Sequence, residues 1–117
     1  MPATHDPNCI FCKIVAGQIP AKKVFEDDEL LAFHDINPWA PVHVLVIPKR
    51  HIATHYDVGA EDSAVLGRML ALAPKLMREL GVVNGFRTLI NTGEDGRQEV
   101  QHFHMHVMGG PRPWLRG

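Results

Sequence analysis

Across residues 21–36, AKKVFEDDELLAFHDI, apolar and polar side chains alternate on both sides of an acidic cluster. A period of two marks a half-buried strand, and the EDDE between Phe25 and Leu30 supplies a turn, so the segment predicts a β-hairpin. NPWAP, residues 37–41, carries two prolines and reads as a loop. VHVLVIP, residues 42–48, is apolar on both faces, which predicts a central strand. The period changes over residues 60–80. There Val65, Met69, Leu72, Leu76 and Leu80 recur three or four apart, forming one helical stripe that stops at Gly81. Pro74 lies inside this helix and is expected to kink it or to remove a hydrogen bond. FRTLIN (86–91) and VQHFHMHVM (100–108) predict two further strands, joined by the glycine-rich polar loop NTGEDGRQ. Near the N-terminus, IFCKIVAG predicts a short helical turn capped by Gly17. Strands, one main helix and more strands make an α+β layout, an antiparallel sheet covered on one side.

A length of 117 residues fits one domain over residues 1–117, with a flexible polar start (1–7) and a short C-terminal tail (111–117). Hydrophobic residues are 45% and charged residues 21%, enough apolar content for a core without disulfides. The net charge of -1 suggests neither a nucleic-acid nor a membrane-surface partner. No apolar run approaches the roughly 20 residues of a membrane helix, and MPATHDPNC lacks the apolar core of a signal peptide. The cytoplasm is the expected compartment.

Two groups of residues carry candidate chemistry. Cys9 and Cys12, in CIFC, read as half a metal site, a redox pair or two small buried thiols. A redox motif would want a βαβ context that the flanking sequence does not supply. The metal reading needs two more ligands in a chain with eight histidines. The second group is QHFHMHVMGG, residues 101–110, with His102, His104 and His106 at alternate positions. On a strand these share one face, about 6.5–7 Å apart, while Phe103, Met105 and Val107 enter the core from the other. Three successive imidazoles confer no packing advantage, so the row reads as functional. Imidazole serves as a metal ligand, a general acid or base near neutral pH, or a nucleophile. All three on one metal would resemble a site that activates water. Otherwise the middle ring is placed to attack, and the adjacent loop, with its backbone N–H groups and the Gln98 side chain, is placed to hold a phosphate. Phosphorus-centred hydrolysis or transfer through a phospho-histidine is the class this reaches.

HFHMHVM resembles the His-x-His-x-His-x-x pattern of the histidine triad family. The flanking CKIVAGQIPAKKVFEDDELLAFHDINPWAPVHVLVIPKRHI and NTGEDGRQEVQHFHMHVMGG are similar to the two halves of its Hint branch, the purine nucleoside phosphoramidase type, over about residues 8–110. The resemblance implies an α+β subunit with a five-stranded antiparallel sheet, a homodimer, and hydrolysis of purine nucleoside 5′-phosphoramidates. Aminoacyl-adenylates are a related substrate class. It assigns His104 as the nucleophile, His106 as the group contacting phosphate and assisting the leaving group, His102 as the support of His104, and His43 as a fourth active-site histidine. It places Asp35 on the ribose hydroxyls, Asn91 and Gln98 beside the phosphate, and Ile10, Phe11, Phe33 and Leu45 along a purine slot.

Some members carry Cys-x-x-Cys at this position and bind a structural zinc. The resemblance then implies Cys9, Cys12, His51 and His102 as ligands, a donor set that suits a tetrahedral ion with a closed shell. No organic cofactor is implied. Two features depart from the wider family. Glu99 stands where many members have serine, although bacterial-looking members also carry glutamate, and it is not assigned a catalytic role. The tail PRPWLRG is short, and Trp114 does not align securely with the tryptophan of longer-tailed relatives. The competing readings are a metal-dependent hydrolase with the triad as ligands and a non-enzymatic nucleotide-binding module. His5, His34 and His55 have no assigned role.

Overall fold

The computed structural model describes residues 5–115. Residues 1–4 of the expected flexible start and residues 116–117 of the tail lie outside them. The chain runs α1 (Ile10–Val15), β1 (Lys23–Glu26), β2 (Leu30–His34), β3 (Val42–Pro48), α2 (Ser63–Glu79), β4 (Phe86–Leu89) and β5 (Met105–Gly109), with single 3₁₀ turns at His55–Asp57 and Ala60–Asp62. The strands form one antiparallel sheet in the order β1-β2-β3-β5-β4. This is the expected α+β fold.

Local chemistry sets each element. The β1–β2 turn forms where Asp27 Oδ1 accepts the N–H groups of Glu29 and Leu30, both at 2.8 Å, and Arg68 of α2 pairs with Asp27 and Glu29 above it. The apolar stripe of α2 buries Met69, Leu72, Ala73, Leu76 and Met77. Each of the larger ones contributes about 1.5–3 kcal/mol by leaving water. Pro74 sits inside α2, which is assigned as helix without a break. Gly81, at φ +83°, ends α2 in the left-handed region that a Cβ disfavours.

Two apolar clusters lie on opposite faces of the sheet. Leu30, Ala32, Val44, Val46, Phe103, Met105 and Val107 pack with α2. Leu31, Phe33, Leu45 and Ile47 pack instead with Phe11, Cys12 and Ile14 of α1. The sheet is therefore covered on both faces and not on one, because the short α1 brings three buried side chains with it. The alternation read from the sequence holds, since Phe103, Met105 and Val107 share the α2 face. The histidine segment differs in one respect. Residues 100–104 are not part of the strand, which begins at Met105. The main-chain N–H of Phe103 instead donates to Ile52 O at 2.6 Å, in the loop after β3.

Candidate functional site

The histidines gather where β3 meets β5. His106 lies opposite Leu45, and His43 opposite Met108. His104 meets His106 edge to face at a ring separation of 5.0 Å, and Phe11 of α1 closes on His104 at 5.2 Å. His43, His102, His104 and His106 are all buried, at 5% exposure or less. A buried imidazole needs partners for both nitrogens, and those partners fix its tautomer.

Each tautomer follows from the backbone. His104 Nδ1–H donates to His102 O at 2.7 Å, which leaves the lone pair on Nε2. His102 Nε2–H donates to Pro48 O at 2.7 Å, which leaves its lone pair on Nδ1. His43 Nδ1 accepts the main-chain N–H of Trp39 at 3.0 Å, so its proton sits on Nε2. That proton points at His106 Nδ1, 2.8 Å away, and the proton of His106 is thereby placed on Nε2. Burial pushes the pKa of His104 down, against the opposing pull of the His102 carbonyl, Asp35 and Glu99. Burial also lowers His43, opposed by Asp35 and assisted by His104. His102 is pushed down to about 4, first by burial. Those three rings are therefore favoured in the neutral form at neutral pH.

The rings do not converge on one centre. His102 Nδ1 turns to Cys9 Sγ (3.4 Å), Cys12 Sγ (3.5 Å) and His51 Nδ1 (3.3 Å), and Cys12 Sγ lies 3.3 Å from His51 Nδ1. A tetrahedral zinc with bonds near 2.3 Å to sulfur and 2.0–2.1 Å to nitrogen sets N···N edges of about 3.3 Å and S···N edges of about 3.5 Å. The four distances match those edges, and the free lone pair of His102 faces Cys9, Cys12 and His51. They can hold a metal. Asp35, His43 and His106 also lie close enough to one another, but His43 Nε2 carries the proton that the Trp39 contact forces there and offers no lone pair. His104 belongs to neither group among the described residues. That separation counts against the reading in which all three triad rings bind one catalytic metal.

The other expected residues are placed unevenly. Asp35 closes β2, with Oδ1 accepting the N–H of Asn37 at 2.8 Å and Oδ2 lying 3.6 Å from His43 Nε2. Asn91 is half-buried at the start of the loop after β4. Phe11, Phe33 and Leu45 are buried together, while Ile10 is 47% exposed and is not part of that cluster. Gln98 differs from its expected role. Its Nε2 donates to Ala53 O (2.7 Å) and Val100 O (2.9 Å), and its Oε1 accepts the N–H of Gly93 (3.0 Å). Both side-chain N–H groups are committed, so the amide shapes the 91–98 loop and has no donor left for a phosphate. The reason is that three main-chain groups need partners, one in the loop (Gly93 N–H), one after β3 (Ala53 O) and one before β5 (Val100 O), and Gln98 supplies them.

The family described as "Scavenger mRNA decapping enzyme C-term binding" matches residues 8–114. Protein HitA of Neisseria gonorrhoeae is 50% identical over 104 residues, covering 89% of this chain and 97% of that one. The purine nucleoside phosphoramidase of Escherichia coli (strain K12) is 46% identical over 102 residues, covering 86% of each. The crystal structure of a HIT family hydrolase from Legionella pneumophila Philadelphia 1 superposes with a TM-score of 0.87 at 50% identity, over 90% of this chain and 95% of that one.

The chain belongs to the histidine triad family.

A histidine triad protein of Clostridium difficile superposes equally well, with a TM-score of 0.88 at 42% identity over 93% of this chain and 96% of the other. Within this histidine triad chain two contributors escape sequence reasoning. The Pro48 carbonyl fixes His102, and the Trp39 N–H fixes His43. Both are main-chain groups, which leave no trace in residue type.

Proposed function

We propose that this chain is a hydrolase of purine nucleoside 5′-phosphoramidates, acting through a nucleotidyl-histidine intermediate. One observation supports it above the rest: His104 Nδ1–H is committed to the His102 carbonyl at 2.7 Å, which leaves a neutral Nε2 lone pair as a nucleophile. In the first step a bond forms from His104 Nε2 to phosphorus. The P–N bond breaks, and its electron pair leaves with the amine, which takes a proton through His106 Nε2 from the His43–His106 pair, protonated on substrate binding and returned to neutral by this transfer. In the second step water attacks phosphorus, its proton returns to His106, and the P–Nε2 bond breaks to release AMP. Asp35 holds the ribose hydroxyls, Asn91 lies beside the phosphate, and Ile10, Phe11, Phe33 and Leu45 form the wall for the base. Cys9, Cys12, His51 and His102 would hold zinc as a structural ion. When bound it supplies a cross-link between α1, the β3 exit and the triad segment. The resemblance between this chain and the phosphoramidase of Escherichia coli supports the substrate class. Incubation with adenosine 5′-phosphoramidate is expected to release AMP and ammonia in equal amounts. No release of AMP, from a protein that still binds added AMP, would favour a nucleotide-binding module instead.

The same reading includes a homodimer. β4 is an edge strand whose residues are all exposed, with Phe86 at 38% and Leu89 at 36%. An unpaired edge carrying apolar side chains invites a second copy. Sedimentation is expected to give roughly twice the 13.1 kDa chain mass. A species of single-chain mass at micromolar concentration would exclude the dimer.

A further inference from the structure

Trp39 stands in the NPWAP loop, four residues before His43. Its indole lies on the imidazole of His106, with ring centroids 4.9 Å apart and planes inclined by 19°. The same indole meets His43 at 5.2 Å and 59°. Its backbone is held at both ends: the N–H donates to His43 Nδ1 at 3.0 Å, and the carbonyl accepts the N–H of Leu115 at 2.7 Å. One residue thus contacts both members of the hydrogen-bonded His43–His106 pair, once through its ring and once through its main chain.

We propose that Trp39 is the positioning residue for His106, its indole fixing the imidazole plane while its N–H fixes the His43 tautomer that donates to His106 Nδ1. The physical reason is rotational. The χ2 torsion of histidine is broad and nearly two-fold, so hydrogen bonding alone leaves the ring free to tilt or flip. A near-parallel stack removes that freedom. The His43 contact selects which nitrogen carries the proton, and the stack selects where that nitrogen points. The inference rests on the phosphoramidase reading, in which His106 protonates the departing amine. The misorientation of a proton donor should therefore slow only those reactions that need the proton.

The test uses the full-length chain and two AMP derivatives. One has an alkylamine leaving group, which must be protonated. The other has a p-nitrophenolate leaving group, which departs unaided. Trp39→Leu keeps the main-chain N–H and removes the stack. It is expected to lower kcat for the amine substrate about 10- to 100-fold. KM should change little, and the loss on the p-nitrophenyl ester should stay within about threefold. Trp39→Phe retains a stacking ring and is expected to recover most of the amine rate. Imidazole ¹⁵N spectra add a readout that needs no substrate: His106 should keep its Nε2–H tautomer in both proteins, and its Nε2–H signal, sharp in the wild type, should broaden in the Leu variant as the ring reorients. Equal losses on both substrates, or no loss on either, would overturn the proposal, as would an unchanged ¹⁵N signature. If the wild type fails to cleave the amine substrate, the phosphoramidase reading fails instead, and the spectra still decide whether Trp39 orients His106.

Discussion

His104→Ala is expected to slow AMP release from adenosine 5′-phosphoramidate by roughly 10³-fold or more, while AMP binds with an affinity within about threefold of wild type. The asymmetry follows from the geometry. In the proposed mechanism the Nε2 lone pair of His104 makes the covalent bond, whereas the proposed binding contacts come from other elements: Asp35 after β2, Leu45 on β3 and Ile10 on α1. Burial keeps the ring below the ordinary imidazole range of protonation, so the lone pair is present at neutral pH. The His102 carbonyl, Asp35 and Glu99 pull the other way. The negative groups also suit the proposed intermediate, in which the ring would be a phosphorylated cation. Initial rates of AMP release together with calorimetric titration of AMP check both halves. Near-normal turnover by the alanine variant would refute the covalent route, and loss of AMP binding in proportion to rate would make His104 a binding group.

Most of the frame was legible because it depends on periodicity. The hairpin, the central β3 and the α2 stripe each follow from side chains spaced to meet one buried face, and the structure keeps Met69, Leu72 and Leu76 in that face. The histidine row was legible for the same reason, although residues 100–104 lie outside the strand. Alternation requires only an extended backbone, and Phe103 finds its main-chain partner at Ile52 without a ladder. Features that depend on what a group does with its hydrogen bonds were not legible. Gln98 satisfies its own loop, and nothing in the type or spacing of a glutamine announces that. Trp39 is an aromatic between prolines with no periodic neighbour, and its partners are the rings of His43 and His106 on two different strands. The cysteine spacing offered half a metal site among other readings, and the structure brings four donors close enough to hold an ion. Completion of the half-site by His51 and His102 came from the family resemblance, since local spacing does not encode which distant segments the fold brings together.

Removing metal from the Cys9–Cys12–His51–His102 cluster is expected to lower the melting temperature by roughly 10 °C or more. An ion bound only by the folded chain and present at 100 to 1,000 times its dissociation constant adds about 3–4 kcal/mol of stability, and each kcal/mol corresponds to several degrees in a domain of this size. The cluster is suited to such an effect because its donors come from three separated segments, α1, the residue after Arg50 and the approach to β5. Cys12, which burial pushes up to about 11, keeps its proton at neutral pH unless a cation replaces it. Elemental analysis should find about one zinc per chain, and a strong chelator should remove the ion and the added stability together. Cys12→Ser should start from the lower melting temperature and show no further fall with chelator, which separates ligand loss from a general packing defect. The acid side has a definite sign. Protons compete with the ion for thiolate and imidazole, so the metal-linked stability is greatest at neutral to alkaline pH and is lost as the pH falls. Wild-type protein free of metal, with a melting temperature that chelator and pH leave unmoved, would reduce Cys9 and Cys12 to two buried thiols packed against His102.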